Sequence, residues 1–588
     1  ALSLSQYLAL VFYWSLYSFL FNNFICLYKM NLLSYITFLP LLFALAILVL
    51  PEKMKGMFKI ITLGASTVQL VLLGVLLCGY TTMSTNVPSS EAAYQFVEKV
   101  NWINFSLGSL GYFNVDYFLG VDGISLSMVV LSVLVLFFAV IASWNIEKKV
   151  RGYFALFLLL NTSIIGCFVS LDSFLFYVFF EFMLLPMFFL IGIWGGERRE
   201  YASIKFFLYT LFGSILILFV FLGQYASVID PVATAQLIGI EGGNVIATVQ
   251  QQLAAGEITQ ENLVHTFSMV NWADRSNYIP DSVFYRLPSE TIDLAQYAFI
   301  ALLIGFGIKL AIVPVHTWLP DAHVEAPTAG SVLLAGVLLK VGGYGIIRMG
   351  YAVFPEEANS MAWWVALLGT ISIIYGGYNA LAQQNLKKLI AYSSVGHMGF
   401  VLLGLASATV EGVNGAVYQM FAHGLIASML FLLAGVLYDR THNLEIDNYK
   451  GIASRMPHYT AFVTIAFFAS LGLPGFAGFI AEIMVFVGAF MSETVNGLVP
   501  RWMVAVSLLG LVLGAAYYLW TLQRIFFGEF WVKTKVIDEE KLTDLTLREY
   551  LVLLPLTLLI IAFGVFPSLL LDYITPAVSG LVDLLMNK

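Results

Sequence analysis

The chain has 588 residues, of which 60% are hydrophobic and 11% charged, with a formal net charge of −8. Soluble proteins carry about 25% charged residues, so this composition, with a mean hydropathy of +0.88, excludes a soluble globular domain and describes a polytopic membrane protein. Apolar runs of about 20 residues predict an all-α fold, because barrel strands would read as alternating segments of about 10.

The elements follow in chain order. Residues 1–29 are apolar and aromatic and precede Met30. They are compatible with an extra helix, a signal-like stretch or translation from an upstream start. Fourteen hydrophobic spans follow, near 32–50, 57–80, 121–144, 153–171, 173–195, 203–226, 295–314, 328–350, 361–382, 387–406, 412–438, 458–491, 502–527 and 549–573. Between the second and third, 102–107 and 112–116 flank a Leu-Gly-Ser-Leu-Gly turn and predict a β-hairpin. Between the sixth and seventh, 228–292 is polar and acidic and predicts short helices on a decoration or docking surface. The seventh span breaks at Pro314 and the twelfth at Leu473, Pro474 and Gly475. Pro removes a backbone hydrogen bond, and such breaks survive at membrane depth only where protein or a wet cavity covers them.

Lysine and arginine are unevenly shared among the loops. Those after even-numbered spans carry Lys99, Arg275, Arg286, Arg348 and Arg501; those after odd-numbered spans carry the rest, among them Lys148, Arg198, Lys387, Lys388, Arg440 and Arg548. This bias predicts odd-numbered loops in the cytoplasm and both ends of the fourteen-span unit on the outer face, with a bacterial cell membrane as the expected setting. Lys387 and Lys388 read as a solvated, topological helix end.

Four charges break the pattern. Lys309 lies in an otherwise uncharged run over 295–314, and Glu181, Lys340 and Glu482 lie in similar runs. Placing such a charge in hydrocarbon costs about 2.5–3.5 kcal/mol on insertion scales, so each predicts a site that handles charge. The histidines His316, His323, His397 and His423 can pass protons at physiological pH or serve as packed polar residues. Cys26, Cys78 and Cys167 are far apart and outside any ligand motif, and no nucleotide-binding glycine motif appears. No cofactor, metal or disulfide is expected in the chain, and its partners are expected to include the bilayer but no nucleic acid.

Three stretches are distinctive: KLAIVPVHTWLPDAHVEAPTAGSVLLAGVLLKVGGYGIIR (309–348), QQNLKKLIAYSSVGHMGF (383–400) and SLGLPGFAGFIAEIMVF (470–486). With GVDGISLSM (120–128) they resemble the antiporter-like subunits of respiratory complex I and their Mrp antiporter relatives. HTWLPDAHVEAPTAGS and a glutamate at 482, where L- and N-type relatives have lysine, are similar to the M type. The resemblance implies helices 1–3 over 30–150, two inverted five-helix repeats over 151–350 and 361–527, each holding a broken helix, and a helix 14 over 528–588. It implies L- and N-type neighbours in the membrane arm, with FMN, iron–sulfur clusters and quinone in partner subunits. The alternatives are an Mrp-type cation/proton antiporter subunit or a membrane subunit of a related hydrogenase or ferredoxin-using complex.

The resemblance also implies roles. Glu181 faces Lys309, Lys340 connects the two half-channels, and Glu482 delivers the proton outward. A carboxylate near an ammonium keeps both charged, so proton loading on Lys309 would follow the approach of Glu181. His316 and His423 are expected as relay members, with His323 and His397 as further candidates. Asp321 and Glu325 read as an entry funnel or helix caps, Asp122 as a helix cap, and Lys205 as a second possible partner of Glu181.

Overall fold

A computed structural model of the chain describes residues 31–81, 87–106, 108, 111–242, 244–285 and 293–586. The segment 1–29 lies outside the described residues. The apolar runs become helices because a spanning segment must pair its own backbone groups. The first are α1 (Leu32–Val49), α2 (Lys55–Gly79), α3 (Gly123–Asn145), α4 (Val150–Val169), α5 (Ser173–Trp194) and α6 (Arg199–Ser227). There follow α7 (Leu294–Leu310) and α8 (Trp318–Glu325), then α9 (Thr328–Tyr351), α10 (Ala362–Leu381), α11 (Leu386–Ala406) and α12 (Val410–Thr441). The chain closes with α13 (Pro457–Ser470), α14 (Ala477–Val495), α15 (Arg501–Phe526), α16 (Leu547–Val565) and α17 (Ser568–Met586).

Among the described residues, 14 helices are long and apolar enough to cross a membrane. Burial is graded across them. The spanning windows of α9 and α12 are wholly buried and that of α11 is 89% buried, whereas those of α1, α2, α6, α15 and α16 are 33–39% buried. The interior is therefore made by α9, α11 and α12 with α3 and α4, whose windows are 78% and 83% buried, and the least buried helices form a rim whose outward side chains are apolar.

Both expected breaks are present, and each is closed by local bonds. Past α7, Ala311 is left-handed (φ 63°) and Pro314 cannot donate. The Trp318 indole donates to the Ile308 carbonyl at 2.8 Å, and Val313 N donates to Ser372 Oγ at 3.1 Å. Between α13 and α14, Gly472 (φ 75°) and Gly475 (φ 97°) turn the chain, and Leu473 N donates to Phe468 O at 3.1 Å. The first turn of α13 is capped from a distance: the Asp544 carboxylate accepts from His458 N at 2.9 Å and Tyr459 N at 3.0 Å.

The hairpin is longer than 102–116. β1 (Gln95–Ser106) pairs antiparallel with β2 (Tyr112–Val121), with register irregularities between Gln95 and Glu98 and between Asn101 and Ile103. Its early part is hidden in sequence because Glu98 and Lys99 spoil the alternation. Glu98 is nevertheless buried, accepting from Leu33 N at 2.7 Å at the start of α1. The segment after α6 holds short helices at Pro231–Ile238 and Val245–Ala254. The bridge Tyr112↔Val264 binds it to the hairpin and Asp172↔Ser268 to the start of α5, while Ile229↔His265 closes it on itself.

The C-terminal region departs from a single helix. Pro567 biases Phe566 out of the helical region (φ −121°, ψ 71°), which separates α16 from α17. α17 is apolar and long enough to span, but its contacts lie on the hairpin side. Tyr573 O fits against Gly123, where any Cβ would collide. Asn414 donates to Thr575 Oγ1 at 3.2 Å, and Asn359 donates to Leu585 O at 2.6 Å. These partners stand at the hairpin-side ends of α3, α12 and the α9–α10 connection, so α17 runs across those ends.

Candidate functional site

The expected residues fall into two groups. In the first, Lys309 occupies the last turn of α7 and is 1% exposed. Its ammonium lies 4.7 Å from the Phe180 ring centroid and 6.0 Å from that of Phe206. Among the described residues Lys309 Nζ has no hydrogen-bond partner and no carboxylate within 4.0 Å, and Glu181 Oε1 is also without a partner. Glu181 and Lys309 stay within electrostatic reach of one another, so the pair is present but open. A cation–π contact supplies about 2 kcal/mol when desolvated, less than the several kcal/mol needed to bury an ammonium. The ring contacts alone therefore do not offset burial of an ammonium at Lys309.

His316 and Lys205 sit beside this group. His316 is buried against the Tyr375 and Tyr392 rings at 5.1 and 6.2 Å, and its ring nitrogens have no partner among the described residues. Lys205 pairs with Asp321 at 2.7 Å, which corrects its reading as a partner of Glu181: α8 brings Asp321 closer. Glu325 accepts from Arg198 N at 2.9 Å.

The second group is continuous. Lys340 lies in wholly buried α9 between two π-helical turns, Leu334–Leu338 and Ile346–Tyr351. The Lys340 ammonium donates to the Ala335 carbonyl within the first of these turns; π turns often mark functional sites. Lys340 Nζ is also 2.8 Å from His423 Nδ1 on α12. The His423 and His397 ring centroids are 5.2 Å apart. His397 Nε2 is 3.0 Å from Ser470 O and 3.9 Å from Glu482 Oε1. A neutral His397 therefore carries its proton on Nε2, donating to Ser470 O. The Glu482 carboxylate packs on Gly472 in the α13–α14 break, in a cavity of about 20 Å³ that Ser393, His397 and Tyr517 also line. That volume holds about one water. His323, stacked on Phe431 at 4.3 Å, is within Coulombic reach of Lys340.

Chemically, the Lys340–His423 contact can share one proton. An ammonium donates to Nδ1, or a protonated imidazole donates to the neutral amine. Among the described residues no group of three or more His, Cys, Asp or Glu side chains could hold a metal ion.

Three charged residues behave differently from their sequence context. Asp122 caps α3 through Ser125 N at 2.9 Å and also pairs with Arg348, a buried residue that counts only as a loop cation in sequence. Lys387 is 3% exposed and not a solvated helix end; it donates to Ala326 O at 2.9 Å. Two adjacent lysines at a helix start gave no signal as to which one turns inward.

The fold and this buried array of titratable groups define a polytopic helical membrane subunit with a charged axis through its centre. The family model described as NADH:quinone oxidoreductase/Mrp antiporter, TM, matches residues 170–230 and 262–510. NADH-quinone oxidoreductase subunit M of Rhodobacter capsulatus is 39% identical over 94% of this chain and 96% of its own. The subunit M of Rickettsia bellii is 36% identical over 94% and 99%. The chain belongs to the antiporter-like membrane subunit family of NADH:quinone oxidoreductase. Among solved structures, a chain of respiratory complex I from Thermus thermophilus aligns with TM-score 0.72 and 26% identity over 94% of this chain and 99% of that one. A chain of the Mrp complex from Dietzia shares the fold, with TM-score 0.71 and 18% identity over 94% and 98%.

Proposed function

We propose that the chain is the proton-translocating M-type subunit in the membrane arm of an NADH:quinone oxidoreductase. The observation that carries this reading is the buried run Lys340–His423–His397–Glu482: Lys340 Nζ is 2.8 Å from His423 Nδ1, the two imidazole ring centroids are 5.2 Å apart, and His397 Nε2 is 3.9 Å from Glu482 Oε1. The first step is within hydrogen-bond reach, and the later ones are assigned to transfer through an intervening water. Lys309 and Glu181 act upstream as an electrostatic switch: closing the open pair holds the proton on Lys309, and opening it favours release toward Lys340.

Electrons do not enter the chain. FMN, iron–sulfur clusters and quinone belong to partner subunits, and L- and N-type subunits are the neighbours in the arm. The lysine-rich loops face the cytoplasm of a bacterial cell and the hairpin faces outward. An Mrp-type antiporter shares the fold, but relatives named subunit M at 36–39% identity favour the oxidoreductase.

The test uses the assembled complex in sealed vesicles. Lys340→Met and Glu482→Gln are expected to lower protons moved per NADH, while uncoupled NADH oxidation persists. An unchanged proton yield in both variants would remove this chain from the proton path.

A further inference from the structure

A cavity of about 260 Å³ opens between the end of α3, the end of α5, the α8–α9 turn, the start of α11, the end of α12 and the start of α16. All of these termini belong to the lysine-rich face. Its lining includes Ser143, Glu325, Thr328, Lys387, Asp439 and Glu549. A cavity of that size has room for several water molecules.

Lys387 stands in the wall of this cavity, yet is almost fully shielded by protein. Its ammonium donates to Ala326 O and lies 5.6 Å from the Tyr438 ring centroid. Among the described residues no carboxylate lies within 4.0 Å of it, although Glu325 and Asp439 are in electrostatic reach. A lysine that only sets topology keeps its head in water or at the headgroups, and the half-buried Lys388 beside it fits that description. Lys387 does not. On its protein side, His323 feels the charge of both Lys387 and Lys340. Both His323 ring nitrogens lack a partner among the described residues.

We infer that Lys387 is the group through which protons enter the central axis from the lysine-rich face, passing from cavity water to His323 and on to Lys340. The inference rests on the proton-translocating reading above. In each cycle the neutral amine takes a proton from a hydronium ion in the cavity. The ammonium then gives a proton to a His323 ring nitrogen, and the amine returns to its neutral form.

Arginine separates carrying a proton from holding a charge, because its guanidinium keeps the cation but does not deprotonate. In the assembled oxidoreductase reconstituted in liposomes, Lys387→Met and Lys387→Arg are both expected to cut protons per NADH about twofold or more, as losses of intramembrane relay groups. Lys388→Met is expected to pump like the parent. Normal pumping by Lys387→Met overturns the inference, and so does normal pumping by Lys387→Arg, which would leave Lys387 a fixed charge. Lys340→Met and Glu482→Gln in the same assay separate the two ideas. If both pump normally, the translocation reading fails; if only the Lys387 variants pump normally, the entry role alone fails. Should the Lys387 variants not assemble, a cysteine at the exposed lining residue, Asn145→Cys, in a chain whose other cysteines are serine gives a second reading. A charged thiol reagent added on the lysine-rich side is expected to modify it and block pumping, and lack of modification overturns the route.

Discussion

Glu482 owes its position to a residue with no side chain. Its carboxylate lies on Gly472, whose φ of 75° suits glycine. Gly472→Ala adds about 1–2 kcal/mol of left-handed strain and a methyl where the carboxylate rests. The variant is expected to assemble and oxidise NADH but to pump fewer protons, and the proton-to-NADH ratio measures this. Lys309, Lys340 and Glu482 were legible in sequence because a lone charge in an apolar run is costly. Their partners were not. Lys340 and His423 are 83 residues apart, and only the fold of α9 against α12 joins them. Lys387 escaped notice for the opposite reason: beside Lys388 at a helix start it looks like an ordinary anchoring cluster.

At the scale of elements, the two broken helices follow one logic. Proline and glycine free backbone groups, and nearby side chains or turns take them up. The breaks were legible because Pro314 and Pro474 interrupt otherwise apolar runs; the bonds that close them were not, since Trp318 and Ser372 carry no local signature. The distant cap on α13 leads to a pH prediction. Burial pushes the Asp544 carboxyl up, but the backbone donors of His458, Tyr459 and Leu545, with the His458 ring, outweigh it and hold the group below the usual carboxylate range. A depressed carboxylate stabilises above its unfolded pKa, near 3.9, and loses that contribution as pH falls through the folded value. Amide exchange at the start of α13, taken relative to its intrinsic rate at each pH, is therefore expected to stay flat from neutral pH down to about 4 and to rise below it. Asp544→Asn is expected to raise exchange there already at neutral pH. Early rise in the parent protein, well above the carboxylate range, would show that another group governs the cap.

Over the whole molecule, burial rises from the rim helices to α9 and α12, and the titratable axis occupies that interior. The fourteen-span plan was legible because the loop charges alternate. The separation of α16 from α17 was not, because both are apolar and only Pro567 divides them. α17 holds the hairpin-side ends together, and Ile574 in it is fully buried. Ile574→Ala is expected to cost about 2–5 kcal/mol, seen as a lower melting temperature of the purified complex. Ending the chain after Val565 is expected to abolish accumulation of the assembled subunit; full assembly of the truncated chain would make α17 dispensable.

That arrangement has a consequence for biogenesis. Chains emerge from the ribosome N-terminus first, so α17 is the last of the described helices to be made, yet it touches Gly123 near the first of them and Asn359 and Asn414 in the middle. The hairpin-side ends of α3 and α12 therefore lack these contacts until α17 has been made. The clasp thus couples the synthesis of α17 to the locking of the bundle, and a chain stalled before residue 568 would lack the contacts to Gly123, Asn359 and Asn414.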